Sequence, residues 1–343
     1  GLPWSYSRAL SSNLTLFDGG QRTFNYRAAQ ANLESAGANE TAQKYSVALT
    51  VKTQYFNVLA ANEQLAAAKQ LLEQAQQQLK VSSAKMAAGV ATRADSLTSA
   101  IAVGNAKLSI LNAENSLRNA NAALTRLVAS PVTVTATLAD TLDTGKVDLD
   151  EPSLTAMVAD GPSVRQATQA LIAARAQHRA ATTPYMPTLS LNASYGQNPK
   201  QSQNFNFGGG PTATSTRFGL SINYTIFNNY TREQQLVAAR VAADNAEANL
   251  RDAKALVVQN LTTFLSNYRT AQSTIELQLL TIQSAQEALR VVQQRYNLGS
   301  SSLLEVLQAE TTLDNARAQL ITARVNARIA KANIEALIGR DLK

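Results

Sequence analysis

The feature that most restricts the fold of this chain is a pair of long helix-forming stretches without proline, over residues 23–87 and 231–297. Their apolar positions recur at steps of three and four, a period near 3.5 that is typical of coiled-coil packing. At 1.5 Å per residue, a helix of about 65 residues is roughly 100 Å long, which no compact domain accommodates. Further apolar residues lie beside the main seam, for example Leu277, Leu280 and Val291. Such helices pack on neighbours at both sides, so we expect an elongated rod or the wall of a cylinder.

The composition agrees with thin, closely packed helices. Hydrophobic residues make up 45% of the 343-residue chain but aromatic residues only 6%, and much of the hydrophobic share is alanine. The net charge of +7 is dispersed, without a block of lysine or arginine, which argues against nucleic-acid binding. The absence of cysteine excludes disulfides and cysteine metal sites. The sequence also contains no stretch of 18 apolar residues, so it predicts no transmembrane helix.

The chain also repeats itself at an offset of 210 residues. Under this shift, KMAAGVATRADSL at 85–97 falls on RYNLGSSSLLEVL at 295–307, so that Gly89 matches Gly299. These matches predict an internal duplication of one strand–helix–tip–helix unit, in which each glycine provides a positive-φ turn between antiparallel helices. Residues 153–210 precede the second unit and nothing comparable precedes the first, so we expect the chain to be N-terminally incomplete.

Three short segments switch to a period of two, which predicts β-strands over residues 5–16, 188–196 and 217–227. One face of each segment is apolar and aromatic, and the other is small, polar and almost uncharged. The apolar face is either buried against helices in a soluble sheet or turned to lipid in a transmembrane barrel. The Gly/Asn/Gln/Ser-rich segment 197–216 suits an extracellular loop and favours the barrel. The aromatic residues near the strand ends, expected at the membrane interface, are Trp4, Tyr6, Tyr195, Phe218, Phe227 and Tyr230.

Three strands cannot close a barrel, and an open sheet edge is not tolerated in lipid. We expect a segment before Gly1 to supply a fourth strand. Four strands are still too few for a barrel, so we expect subunits related by cyclic symmetry to share one.

Nothing in the sequence predicts catalysis, a cofactor or a metal site. The single histidine, His178, has no partner for metal binding or for base catalysis. The glycines at 208–210 lack the following Lys-Ser/Thr of a phosphate-binding loop. We therefore expect no enzyme activity.

Four segments resemble the TolC-like outer-membrane efflux protein (outer membrane factor) family. They are LFDGGQR at 16–22, YFNVLAANEQL at 55–65, RYNLGSSSLLEVLQAETTLDNARAQL at 295–320 and ANIEALIG at 332–339. The resemblance implies a homotrimer whose subunits share a twelve-stranded β-barrel, with four strands each, among the lipids of the outer membrane. The helices would form a periplasmic α-barrel that tapers to a closed end. A periplasmic adaptor (membrane fusion) protein and an inner-membrane pump would dock there, and the pump would supply the energy.

The resemblance also implies a periplasmic gate at the helical tips. Tyr296 would join a hydrogen-bond network that holds the inner helices shut, Asp95 would be a gate partner, and Glu305 would belong to a ring at the narrowest point. The residues alone allow a second reading, in which both acids simply stabilise the first turn of a helix. The tip residues expected to turn the chain and to meet the adaptor are Gly89, Val90, Leu298, Gly299 and Ser300.

Two positions depart from the pattern of the family. An arginine that some members carry after the second tip glycine is Ser301 here, and a further acid is Gln308. We therefore predict that Arg93 is the cationic partner of Glu305 or Asp95.

The expected fold class is mainly α with transmembrane β, built from long antiparallel coiled-coil hairpins and strands of the shared barrel. We expect a passive, trimeric outer-membrane exit duct of a tripartite efflux pump or type I secretion system, gated at the tips. The alternative is a structural coiled-coil scaffold without a pore.

The expected boundaries are a transmembrane strand at 1–20, a helical hairpin at 21–130 with its tip at 88–93, an equatorial linker at 131–152, a helix at 153–183, a transmembrane β-hairpin at 184–230 with an extracellular loop at 197–216, and a second helical hairpin at 231–340 with its tip at 298–302.

Overall fold

The structure is a computed structural model that describes residues 8–136, 150–199 and 212–342. Its elements in chain order are β1 (Arg8–Phe17), α1 (Gln21–Ala87), α2 (Arg93–Val128), α3 (Glu151–Ala159), α4 (Pro162–Thr182), β2 (Thr188–Pro199), β3 (Thr212–Asn223), α5 (Thr231–Asn297) and α6 (Leu303–Ile338). The predicted fold class is confirmed at the level of a mainly helical chain with long helices and a few strands. None of the helices in the described ranges carries an apolar window long enough to cross a bilayer.

The long helices occur in two sizes. Helices α1 and α5 each contain 67 residues, and α2 and α6 each contain 36. None of the four contains a proline, which would remove a hydrogen bond and clash with the preceding turn. Their alanine-rich sequences combine high helix propensity with small side chains.

Two compact units share α1 and α5. The strand unit comprises the described residues of Gly1–Ala38 and Val164–Ala253, and the hairpin unit comprises those of Asn39–Ser163 and Lys254–Lys343. The strand unit therefore holds the sheet and α4, whereas both helical tips belong to the hairpin unit.

The strand unit contains an antiparallel sheet with the order β1-β2-β3. Its apolar residues align across the strands, with Leu10 opposite Tyr195, and Leu14 opposite Leu191. Leu191 is in turn opposite Leu220 on β3. Leu10 is 74% exposed and Leu220 is 63% exposed, so the described residues of this unit do not cover the apolar face. Within the described residues, this apolar face is thus not buried against helices.

The third strand ends earlier than the sequence predicts. β3 stops at Asn223, so the predicted strand over 217–227 is wrong for its last four residues. Asn229 and Tyr230 have positive φ angles of 54° and 59°, because the chain turns here into α5. The ring of Phe227 packs edge-on against that of Tyr230, with centroids 5.5 Å apart.

β2 and β3 stay paired out to Pro199 and Thr212, so the predicted loop bounds of 197–216 are wrong at both ends. Residues 200–211 lie outside the described residues, and an extracellular loop there stays a prediction. Trp4 and Tyr6 of the predicted interface set lie outside the described residues. The other four aromatic residues of that set are exposed, and their place at a membrane interface stays a prediction.

The predicted helix over 153–183 is two helices. α3 begins at Glu151, inside the predicted linker, and α4 begins at Pro162 after a break at Gly161. A Cβ atom on Gly161 would lie 2.8 Å from the carbonyl oxygen of Leu337, so only glycine permits this approach. Proline then starts α4, because its missing N–H is not needed at the first helical position.

In the hairpin unit, α1 and α6 lie between α2 and α5. Buried residues of adjacent helices form shared clusters: Ala75 with Val103 and Ala106 between α1 and α2, Val58 and Leu59 with Ile321 and Val325 between α1 and α6, and Ala271 and Ile275 with Leu320 and Ala323 between α5 and α6. Lys52 on α1 also forms an ion pair with Glu335 on α6 at 2.6 Å. Helices α2 and α5 are therefore the two outer helices of this unit.

Candidate gate at the helical tips

Both hairpins turn at a glycine in the left-handed conformation. Gly89 has a φ of 75° and Gly299 has a φ of 81°. At the first tip, Val90 N–H donates to the Lys85 carbonyl at 2.9 Å, and Gly89 N–H donates to the Met86 carbonyl at 3.0 Å. This pair of hydrogen bonds is a Schellman motif, which satisfies the last carbonyls of the helix. A Cβ on either glycine would meet open space, so backbone conformation rather than packing requires glycine here.

The two predicted gate acids occupy equivalent capping boxes. Asp95 accepts hydrogen bonds from the backbone and hydroxyl of Thr92 at 3.0 and 2.8 Å. Glu305 accepts from the backbone and hydroxyl of Ser302 at 3.4 and 3.2 Å, and from the Ser301 hydroxyl at 2.7 Å. Each acid therefore starts a helix, as the second reading of the sequence holds, and a role in a gate is an additional prediction.

The electrostatic surroundings of Glu305 keep it charged. Hydrogen bonds from the Ser301 hydroxyl and the Ser302 backbone lower the pKa of this carboxyl, and Arg295 lowers it further. Within the described residues, Arg93 forms no ion pair with Asp95 or Glu305. The role of Arg93 as the cationic partner of Glu305 or Asp95 in the gate stays a prediction.

Tyr296 lies where the two tips meet. It is 6% exposed, in the last turn of α5, and packs with Leu303 and Val306 of α6. Burial raises the pKa of its hydroxyl, and the negative charge of Asp95 raises it further. The hydroxyl itself has no hydrogen-bond partner among the described residues. The structure thus brings Tyr296 into the electrostatic range of Asp95 without a direct hydrogen bond.

Three apolar residues at the helical tips are exposed. Val90 is 72% exposed and Leu298 is 84% exposed. Leu304, which the sequence analysis did not single out, is 71% exposed and lies in the first turn of α6, at the second tip. Exposed apolar residues at a helical tip are suited to contact with another protein, as the adaptor prediction requires.

Two charged residues of this region were missed in the sequence. Lys85, in the last turn of α1, places its ammonium group over the Tyr296 ring at 4.1 Å from the centroid. Glu310 is buried on α6, four residues after Val306 and three before Leu313, so it occupies a seam position of the heptad. That spacing was visible in the sequence and could have identified Glu310, whereas the contact of Lys85 depends on tertiary packing.

No group of three metal-ligating side chains was found among the residues that the structure describes. The arrangement at the tips offers two fixed acids, a buried tyrosine and a bridging lysine. The two acids cap α2 and α6, and the lysine contacts the tyrosine of the other hairpin.

The profile of the family described as "Outer membrane efflux protein" matches residues 3–130 and 156–340, which is most of the chain. The chain belongs to this family. Its compartment is therefore the bacterial outer membrane.

Curated relatives agree with this membership. The outer membrane protein TolC of Escherichia coli K12 is 30% identical over 189 residues, which are 52% of this chain and 37% of TolC. The chain thus aligns with less than half the length of this relative. The matching relatives carry the names of outer-membrane and efflux-pump proteins rather than of enzymes.

Solved structures of outer-membrane channels share the fold. CusC superimposes with a TM-score of 0.88 at 21% identity, covering 98% of this chain and 78% of CusC. VceC of Vibrio cholerae superimposes with a TM-score of 0.82 at 17% identity, covering 100% of this chain and 88% of VceC. Long helices combined with a few strands are thus shared with channels of this kind.

Proposed function

We propose that the chain is part of a homotrimeric exit duct in the outer membrane, through which an inner-membrane pump and a periplasmic adaptor export their cargo. The strands would contribute to a twelve-stranded barrel, and the helical hairpins would form the periplasmic tunnel. The equal helix lengths and the offset of 210 residues between the starts of α1 and α5 support an internal duplication. Family membership supports the duct.

The observation that supports association of several copies is a pair of uncovered apolar stripes on the outer helices of the hairpin unit. On α2 the stripe consists of Leu97, Ile101, Leu108 and Leu111, with steps of three and four once Gly104 is included. On α5, Leu277 is 64% exposed and Leu280 is 61% exposed. A heptad stripe favours a second helix as its partner.

The two stripes belong to different helices, so a contact between them is head-to-tail. Head-to-tail contacts generate a closed ring when the rotation per subunit closes. The α2 stripe of one copy would pack on the α5 stripe of the next. Three copies with two hairpins each would give a continuous helical wall.

The first experiment measures the mass of the complete protein in detergent. Leu108→Asp places a charge in the α2 stripe and should raise the fraction of monomer at least about tenfold, because the charge would be buried in the interface. Ser116→Asp, on the same helix but off the stripe, is the matched control. A Leu108→Asp variant that stays trimeric, like the control, would show that this stripe is not the interface.

The gate is tested by conductance in a planar bilayer. Glu305→Gln and Asp95→Asn together remove the acidic charge but keep groups that can still cap the helices. Three copies of each acid around one axis would attract cations, so cation selectivity should fall in the double variant. Glu114→Gln, an exposed acid on α2, is the control. Unchanged selectivity would exclude a constriction lined by these acids, and failure of the protein to insert would favour the scaffold alternative.

A further inference from the structure

We propose that Lys85 is a positioning residue of the gate, which fastens the end of α1 to the last turn of α5 and so holds the two tips together. This role rests on the proposed function, because it matters only if separation of the tips opens a duct. The contact itself is independent of that function.

The ammonium group of Lys85 makes two contacts with one residue of the other hairpin. It lies over the aromatic ring of Tyr296, 4.1 Å from the centroid, and it donates a hydrogen bond to the carbonyl oxygen of the same residue. The two residues are 211 positions apart in the chain, so the contact is entirely tertiary. A charged donor on a carbonyl is stronger than a neutral hydrogen bond. The cation over the tyrosine ring adds a further electrostatic attraction.

The location explains why a cation is needed there. Lys85 is in the last turn of α1, which ends at Ala87, and Tyr296 is in the last turn of α5, which ends at Asn297. The C-terminal end of a helix carries a partial negative charge and carbonyl groups without a helical partner. Two such ends lie side by side here and repel each other. The single positive charge of Lys85 offsets this repulsion and joins the two helices.

The equivalent cation of the second hairpin acts differently. Arg295, which is 210 positions after Lys85, turns to its own tip and donates to the carbonyl oxygen of Ser300 at 3.3 Å. Lys80, one and a half turns before Lys85 on α1, is exposed. Within the tip segments that the structure describes, Lys85 is the cation that joins the two hairpins.

The test compares Lys85→Met with Lys85→Arg and with the exposed control Lys80→Met, in the complete protein. Methionine keeps the length of the side chain but removes the charge, so we expect the open probability in a planar bilayer to rise about tenfold. Arginine can restore both contacts and should return the open probability to within about twofold of the unmodified protein. Lys80→Met should leave it unchanged.

Substitutions of Tyr296 separate the ring from the hydroxyl group. Tyr296→Phe keeps the ring and the carbonyl, so Lys85→Met should have the same effect in that background as in the unmodified protein. Tyr296→Ala removes the ring, so Lys85→Met should have a distinctly smaller effect there. Equal effects in all backgrounds, or equal open probabilities for Lys85→Met and Lys80→Met, would overturn the proposal.

A second readout does not depend on conductance. Because the chain contains no cysteine, spin labels can be placed on Val90→Cys and Leu298→Cys, both exposed at the tips. Labelled subunits diluted with unlabelled ones report the distance between the two tips of one chain. Lys85→Met should broaden that distance distribution and Lys80→Met should not. If Lys85→Met broadens the distance distribution but the protein does not conduct, the contact is retained and the duct is rejected. If the protein conducts but Lys85→Met does not broaden the distribution, the duct is retained and the role of Lys85 is rejected.

Discussion

Replacement of Glu310 by glutamine should stabilise the protein in a manner that depends on pH. Glu310 is 6% exposed, between the seam residues Val306 and Leu313 of α6. Burial raises the pKa of its carboxyl group to about 7, and the nearby negative charge of Asp314 adds to the shift. Among the described residues, no cation or hydrogen-bond donor contacts this carboxylate. The folded state therefore favours the protonated acid.

The magnitude follows from the shift. The pKa rises from 4.5 in the unfolded chain to about 7 in the folded protein, and each unit corresponds to about 1.4 kcal/mol. A charged Glu310 thus costs roughly 3–4 kcal/mol per subunit when the pH lies above both values. Because the folded pKa of this acid is raised, the cost is absent below pH 4.5, grows between pH 4.5 and 7, and is complete at higher pH.

The assay is thermal unfolding, followed by circular dichroism in detergent, of the unmodified protein and Glu310→Gln. The difference between them should be close to zero near pH 4 and should approach about 3 kcal/mol near pH 8. Glu114→Gln, which replaces an exposed acid, should show no such trend. A difference that stays constant across this range would refute the reasoning, because an uncharged packing effect does not titrate.

Two further predictions concern stability. Gly299→Ala should destabilise the folded protein by about 1 kcal/mol, because Gly299 has a positive φ of 81°. Gly37→Ala, inside α1, should stabilise the folded protein by a similar amount. Unfolding temperatures of the two variants test both effects. The reverse order would contradict the backbone argument. Lys52→Met should cost about 2–3 kcal/mol because it leaves the buried carboxylate of Glu335 without its ion pair. Adding Glu335→Gln should recover much of this loss, and a double variant as unstable as the single one would show that the charge is not the cause.

Much of the fold follows from local rules that operate within a few residues. The absence of proline permits the long helices, and the glycines at 89 and 299 take the positive φ that a helical tip needs. Capping boxes start α2 and α6 at Thr92 and Ser302. These signals are short, so one sequence is enough to recognise them.

The features that the sequence did not reveal depend on which segments become neighbours. The need for glycine at position 161 comes from the close approach of the Leu337 carbonyl, more than 170 residues away. The contact of Lys85 with Tyr296 likewise needs both hairpins in place. Glu310 is a different case, since its heptad position was readable but an acid at that position is unexpected.

The equal sizes of the helix pairs restrict how a molecule of this design can change in length. One residue inserted into α1 alone would shift everything beyond it by about 1.5 Å and rotate it by about 100°, which would turn Lys85 away from Tyr296. An insertion of seven residues restores the rotation but displaces one tip past the other by about 10 Å. A longer version of this protein would therefore require insertions of about seven residues, or multiples of seven, in all four long helices at once. Single insertions and deletions should be tolerated only in the connections between them.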